Sequence, residues 1–250
     1  MTPNLITSGL LLQLDANDSD SYSGTGTTVY DLTNNYDHTL TSGATFTNLS
    51  GVKCFDCTTG SKRIVVNGTG PTLPTNGYTY ITWARLINNN SGFRTLLYTK
   101  EPVRYTPITI QDGGSLLGYW DTPNSEFISS GYDLSSLQEV WTQFAVVGDS
   151  VSQMFYINGS QVGSEIAYGV GGKEHWGWGN NHVSQPWGHV ANFYLYNRKL
   201  SLSEIQEQYE FLSSRFFETT PICNPMFDMY AYVDECGKDR FRRLLALGYV

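Results

Sequence analysis

Met154-Phe-Tyr-Ile-Asn-Gly-Ser-Gln-Val162 is the stretch on which the fold turns. Asn158-Gly159 stands between two β-forming runs, and both residues tolerate the positive φ that a two-residue type I′ hairpin requires. Outward from this hairpin, short segments of strand character recur at 52–55, 63–66, 78–86, 95–99 and 115–120, each bounded by turn residues. Residues 78–86 are apolar at both odd and even positions, the pattern of a strand buried on both faces. Near the start, Leu10, Leu12 and Leu14 share one strand face. One helix is expected, from Ser201 to about 215: Ser201 and Glu204 form a capping box, and Ile205, Tyr209, Leu212 and Phe216 make one apolar stripe. Glu204, Glu207 and Glu210 on that helix read as a solvated face. Many short strands, frequent turns and a single helix predict an all-β sandwich or jelly roll.

Composition agrees. Aromatic residues make up 14% of the chain and charged residues only 15%, so disorder is excluded for most of the length. The net charge of −8 disfavours nucleic acid as a partner, because phosphate contacts need clustered Lys and Arg. No apolar run is long enough for a membrane span. The first residues show neither a basic n-region nor an apolar h-region, so no signal peptide is expected. Four Cys do not make a disulfide framework.

The order of motifs then resembles a known family. Gly9-Leu-Leu-Leu-Gln-Leu-Asp-Ala16, Ser21-Tyr22, Gly24-Thr-Gly-Thr-Thr28 and Tyr30-Asp-Leu32 resemble the opening of laminin G-like, concanavalin A-like lectin/glucanase domains. Phe55-Asp56 is similar to that family's Phe-Asp-Gly, with Cys57 in place of Gly. Tyr80-Ile-Thr-Trp-Ala84 is similar to its central strand, and Trp141-Thr-Gln-Phe-Ala145 with Phe155-Tyr-Ile-Asn-Gly159 resembles its hairpin. The run from Gly188 to Ser201, with Glu204-Ile205 and Arg215-Phe216, resembles its closing strand and helix. The resemblance covers residues 9–216. It implies a two-sheet antiparallel jelly roll over 1–216, with roles in glycan binding or virion architecture. This dialect of the family occurs mostly in virion proteins of phages and large double-stranded DNA viruses. The resemblance therefore implies a non-catalytic structural protein of a virus particle, made in the host cytoplasm, with other virion or coat proteins as partners. A glycan-binding attachment module is the alternative, and a polysaccharide-degrading enzyme a third reading.

The catalytic branch of the family carries a retaining pair of Glu arranged Glu-x-Asp-x-x-Glu, with the carboxyls about 5–5.5 Å apart. No Glu here is followed by Asp two residues later, and Glu126, Glu139, Glu165 and Glu174 are isolated in sequence, so no catalytic residues are expected. The richest candidate for glycan binding is 174–189. Trp176, Trp178 and Asn180 share parity and would form one strand face, with Asn181 and His182 in the following loop. Aromatic faces grip sugar C–H surfaces, and amides bond the hydroxyls. The alternative is that Trp178 and Trp187 pack a core strand. Asp15, Asn17, Asp18 and Asp20 offer oxygens suited to Ca²⁺, although the EF-hand pattern fails and an Asx turn explains the same residues. His175, His182 and His189 stand seven residues apart, too far in extended chain to converge on zinc without a tight loop. Cys54 and Cys57, an odd number apart on a strand, should point to opposite faces and read as buried free thiols.

Residues 217–250 lie beyond the family's end. Phe227, Lys238, Arg240, Phe241, Arg242, Arg243 and Leu244 give this extension an apolar and basic character. It is expected to be an assembly arm that orders against its own sandwich or a neighbouring subunit.

Overall fold

A computed structural model describes residues 4–88, 92–100, 105–179 and 185–217. The chain separates into two compact units, Met1–Leu212 and Ser213–Val250, of which the first is the sandwich. The assembly-arm residues Phe227 to Leu244 lie outside the described residues.

In chain order the strands are β1 (Leu10–Asp15), β2 (Thr28–Val29), β3 (His38–Thr41), β4 (Thr45–Leu49), β5 (Val52–Cys57), β6 (Arg63–Val66), β7 (Tyr78–Leu86), β8 (Arg94–Thr99), β9 (Thr106–Ile110), β10 (Leu116–Asp121), β11 (Glu126–Asp133), β12 (Trp141–Gly148), β13 (Gln153–Ile157), β14 (Ser160–Ile166), β15 (His175–Gly179) and β16 (Gly188–Tyr196). A helix, α1 (Leu202–Ser213), follows. The strands form two antiparallel sheets, the jelly-roll sandwich that the sequence predicts. The first runs β14-β13-β12-β7-β16-β5-β4, and β1 joins it by pairing with the second half of β16. The second runs β11-β10-β9-β8-β15-β6-β3-β2. Edges β11 and β14 meet across the sandwich, where a Cβ at Gly163 would sit 2.6 Å from the Ser130 carbonyl.

The core lies between the sheets. Leu12, Leu14, Phe55, Phe144, Val146, Phe193 and Leu195 from the first sheet face Leu40, Ile64, Leu97, Ile108, Ile110 and Leu117 from the second. The hairpin forms as expected: Phe155, Tyr156 and Ile157 pair with Val162, Gln161 and Ser160, with Asn158 at φ 49 and Gly159 at φ 78. The turn is also tied to the sheet, because the Gln143 amide donates to Asn158 Oδ1 at 2.9 Å. Gly159→Ala would place a Cβ in the left-handed region, which costs about 1–2 kcal/mol. Thermal melting should show a loss of roughly 2–8 °C; an unchanged midpoint would mean that the turn does not constrain the fold.

Strand β7 is buried along nearly its whole length, for the reason its sequence gives. Tyr78 and Tyr80 point into the core, while Trp83 stacks on Tyr209 of α1 at 5.6 Å. The helix thus covers the outer face of the first sheet. Its capping box is formed: the Ser201 amide donates to Glu204 Oε2 at 2.8 Å, and Arg198 grips the same carboxylate. Ile205 and Leu212 are buried as expected, and so is Gln208, whose Nε2 donates to the Asn4 carbonyl at 3.2 Å. The outer face of the second sheet has no such helix over it among the described residues.

Candidate functional site

The sequence places Trp176 and Trp178 on one face. The structure separates them. His175 pairs with Thr99, but Gly177 pairs with Tyr98 and Trp178 with Leu97, so β15 carries one extra residue opposite β8. This is a β-bulge, and it reverses the parity. His175 and Trp178 both turn inward and stack on Phe193 of the opposite sheet at 5.5 and 4.2 Å. Trp178 is therefore a core residue, as the packing alternative had it. Trp187 is also in the core, edge-on to Phe144 at 5.4 Å. Trp176 remains on the outer side, its ring 6.2 Å from Tyr98. Gly177 permits the bulge, since a Cβ there would sit 2.2 Å from the Ile64 carbonyl. Asn180, Asn181 and His182 lie outside the described residues.

Of the six tryptophans, Trp83, Trp141, Trp178 and Trp187 are buried. The two that keep part of their surface, Trp120 and Trp176, both lie on the outer face of the second sheet. On β10, Leu117 and Tyr119 face the core, so Trp120 faces out. Phe127, directly opposite on β11, shares that face, and Phe93 packs on both rings at 4.7 and 5.9 Å. Between the two aromatic groups run threonines. Thr109 Oγ1 donates to Thr106 Oγ1 at 2.7 Å, and Thr95 Oγ1 donates to Gln185 Oε1 at 3.2 Å. The last bond fixes Gln185 on this side of the sheet. On β6, Ile64 faces the core, leaving Arg63 and Val65 outward. Tyr98, Thr95, Thr106 and Thr109 are themselves buried, so what this face leaves half-exposed is Trp176 with Arg63 and Val65 at one side, and Trp120 with Phe93, Phe127 and Gln185 at the other. Half-exposed rings beside an amide or a guanidinium are groups suited to a sugar.

Sequence reasoning missed Tyr98, Phe93, Trp120 and Phe127. One signal was readable: within 115–120, Leu117 and Tyr119 fix the inward parity, so Trp120 stands on the polar side.

The acidic loop is built differently from a Ca²⁺ site. Asp15 is buried, and its Oδ1 accepts from the Asn17 amide at 2.9 Å. Asp18 Oδ1 accepts from the Asp20 amide at 2.9 Å, and the Asp18 carbonyl takes the Tyr22 amide at 2.8 Å. These are Asx turns, the alternative the sequence offered. Among the described residues no three His, Cys, Asp or Glu side chains converge on a metal position, and Asp15, Asn17, Asp18 and Asp20 do not form one. Cys54 and Cys57 are free and buried, and burial pushes both thiols up to about 12.

The carboxylates that sequence reasoning left isolated mostly have partners. Glu139 pairs with Arg85, Glu174 with Lys100, and Glu165 accepts from Ser152 Oγ.

Beneath the site lies a polar cluster in the core. His38 and His175 are fully buried, with ring centres 5.8 Å apart. Trp178 packs on both. Tyr80 Oη lies 3.3 Å from His175 Nδ1, and His38 Nδ1 lies 2.6 Å from the Tyr36 carbonyl. Burial lowers His38 to about 4, against the opposing pull of the Tyr36 carbonyl and the Asp31 charge. Burial, then the neighbouring His38, holds His175 well below the usual range. Both rings are neutral at pH 7.

Comparison with known proteins fits this architecture. The chain belongs to the concanavalin A-like lectin/glucanase superfamily, whose Laminin_G_3 family model matches residues 58–206. No curated protein matches it. Among solved structures, Trypanosoma rangeli sialidase is similar at 14% identity and a TM-score of 0.61, over 84% of this chain and 34% of that one. The binding domain of botulinum neurotoxin serotype D is similar at 16% identity and a TM-score of 0.60, over 83% of this chain and 53% of that one. Domain 4 of AbnA, a GH43 extracellular arabinanase from Geobacillus stearothermophilus, in complex with arabinotriose, is similar at 16% identity and a TM-score of 0.61, over 80% of this chain and 98% of that one. At such identities the likeness is one of fold. The chain spans about a third of the length of the sialidase.

Proposed function

We propose that this protein is a non-catalytic glycan-binding module whose site lies on the outer face of the second sheet, centred on Trp176 of β15 with Arg63 and Val65 of β6. One observation carries the reading: the two partly exposed tryptophans, Trp120 and Trp176, both lie on the sheet face that α1 does not cover. The arabinanase domain with arabinotriose supports it, because the same fold there accompanies a bound sugar chain. The absence of a Glu-x-Asp-x-x-Glu strand and the pairing of Glu139 and Glu174 support a non-catalytic role. A glycan array tests the proposal. The protein retains at least one oligosaccharide class, and Trp176→Ala lowers that retention about tenfold or more while the melting temperature stays within a few degrees. A Trp176→Ala variant that binds normally would move the site elsewhere.

The second reading places the module in a virus particle, as a capsid, decoration or tail component. The ordered motif run over residues 9–216 favours it. Mass spectrometry of purified particles decides it: peptides of this chain at stoichiometric abundance support the reading, and their absence sinks it.

A further inference from the structure

Within the sandwich, the described lysines and arginines almost all have a counterpart. Lys62 holds Asp56, Arg85 holds Glu139, Lys100 holds Glu174, Arg198 holds Glu204 and Lys199 holds Asp149. Lys173 lies over the Tyr105 ring at 4.9 Å. Arg94 is fully buried and donates to the carbonyls of Gly114 and Ile87. Lys53 stands exposed in solvent. Arg94 Nε is enclosed without a partner, as Arg63 Nε is, but Arg94 faces the interior and its two other nitrogens are bonded, whereas Arg63 stands on the outer face of β6. It is half-buried, its Nε is enclosed without a hydrogen-bond partner, and its guanidinium has no ion pair among the described residues. A partly desolvated donor left unsatisfied is costly, and in a native protein it calls for an explanation.

Its place in the fold supplies one. Arg63 pairs across the sheet with Thr41 on β3 and Gly179 on β15. Val65, two residues along, stands opposite Gly177, which stands opposite Tyr98. Arg63 and Tyr98 are therefore two strands apart and two residues offset. At ~4.8 Å between strands and ~3.4 Å per residue, their Cα atoms are about 12 Å apart on one face. Tyr98 is itself buried, but Trp176 beside it, Val65 and Arg63 each keep part of their surface on that face.

We infer that Arg63 reads an acid group on the sugar, so that the ligand of this face is a saccharide carrying a carboxylate, of the uronic or nonulosonic acid kind. This rests on the glycan-binding reading above. A guanidinium is permanently charged and offers a planar fork that matches a carboxylate with two parallel hydrogen bonds. The chain carries a net charge of −8, so an acidic sugar is repelled by the protein as a whole and is accepted only where an uncommitted cation stands. A neutral sugar leaves the guanidinium without a counter-charge.

Calorimetry on the full chain tests this with two matched pairs: sialyllactose against lactose, and trigalacturonate against its carboxyl-reduced form. The acidic member of one pair binds about tenfold to a hundredfold tighter than its neutral counterpart, and the pair that shows it identifies the acid. Arg63→Met removes the preference, so that the acidic member and its neutral counterpart bind alike. Arg63→Lys keeps part of it, and added salt weakens the acidic member alone. Melting curves confirm folding; where Arg63→Met unfolds, Arg63→Lys and the salt series carry the test. Equal affinity within both pairs, or a preference that survives Arg63→Met, overturns the inference while the glycan reading stands. If the wild-type chain retains no sugar of any kind, the glycan reading itself falls and this inference with it.

Discussion

Lowering the pH from 7 to 4 is expected to remove about 3 kcal/mol of stability through His38 alone. The folded chain holds this imidazole at about 4, whereas the unfolded chain holds it near the ordinary 6.5. Between those values the unfolded state binds a proton that the folded state refuses. The stabilisation is thus complete above pH 6.5 and is lost as the pH falls through the interval. His175, lowered further and stacked in the same cluster, steepens the slope in the same direction. Asp149 and Glu204, held at about 2 by Lys199 and by Arg198, lose their contribution only below the ordinary carboxylate range near pH 4. The two windows separate the causes. Urea titrations at pH 7, 5.5 and 4.5 should show falling stability for the wild type and a flatter profile for His38→Gln. A wild-type profile that is level from pH 7 to 4.5 would mean that the buried pair is charged in the folded state.

The second large effect separates the two tryptophans of β15. Trp178→Ala empties a site between the sheets, against His38, His175 and Phe193. Such truncations cost about 3–5 kcal/mol. For a domain of this size that is roughly 6–20 °C in melting temperature. Trp176→Ala, on the outer side of the bulge, should cost no more than about 1 kcal/mol. Differential scanning calorimetry on the two variants reads this directly. Equal losses would place both rings in the core and remove the platform from the proposed site.

The parts of this fold that were legible in the sequence are those fixed by local chemistry. Asn158-Gly159 dictates its turn, the capping box at Ser201 and Glu204 fixes the helix start, and residues 78–86 announce a strand covered on both faces. Strands such as β3, β9 and β11 were not legible, because Thr and Ser carry no strong inward or outward preference and β9 contains Pro107. Parity failed at β15 for a definite reason. One inserted residue, set by how β15 pairs with β8, moved Trp178 into the core, and nothing in His175-Trp-Gly-Trp-Gly179 shows that register. The site itself is assembled from separate strands, so Arg63 and Trp176 become neighbours only through sheet order. Arg63 and Trp120 could have been placed on the outer face beforehand, since Ile64 and Val66 fix the inward parity of β6, and Leu117 and Tyr119 that of β10.

The account centres on where a sugar sits. An amide NMR titration of the isotope-labelled protein with the tightest oligosaccharide from the array measures this directly. Shift changes should concentrate on the outer face of the second sheet, at Val65, Tyr98, Gly177 and Trp120, and spread to Thr39 and Gln185, while α1 and β4 stay unmoved. Saturable changes confined to α1, to β4 or to the loop around Asn17 and Asp18, with Tyr98 and Gly177 unaffected, would contradict it.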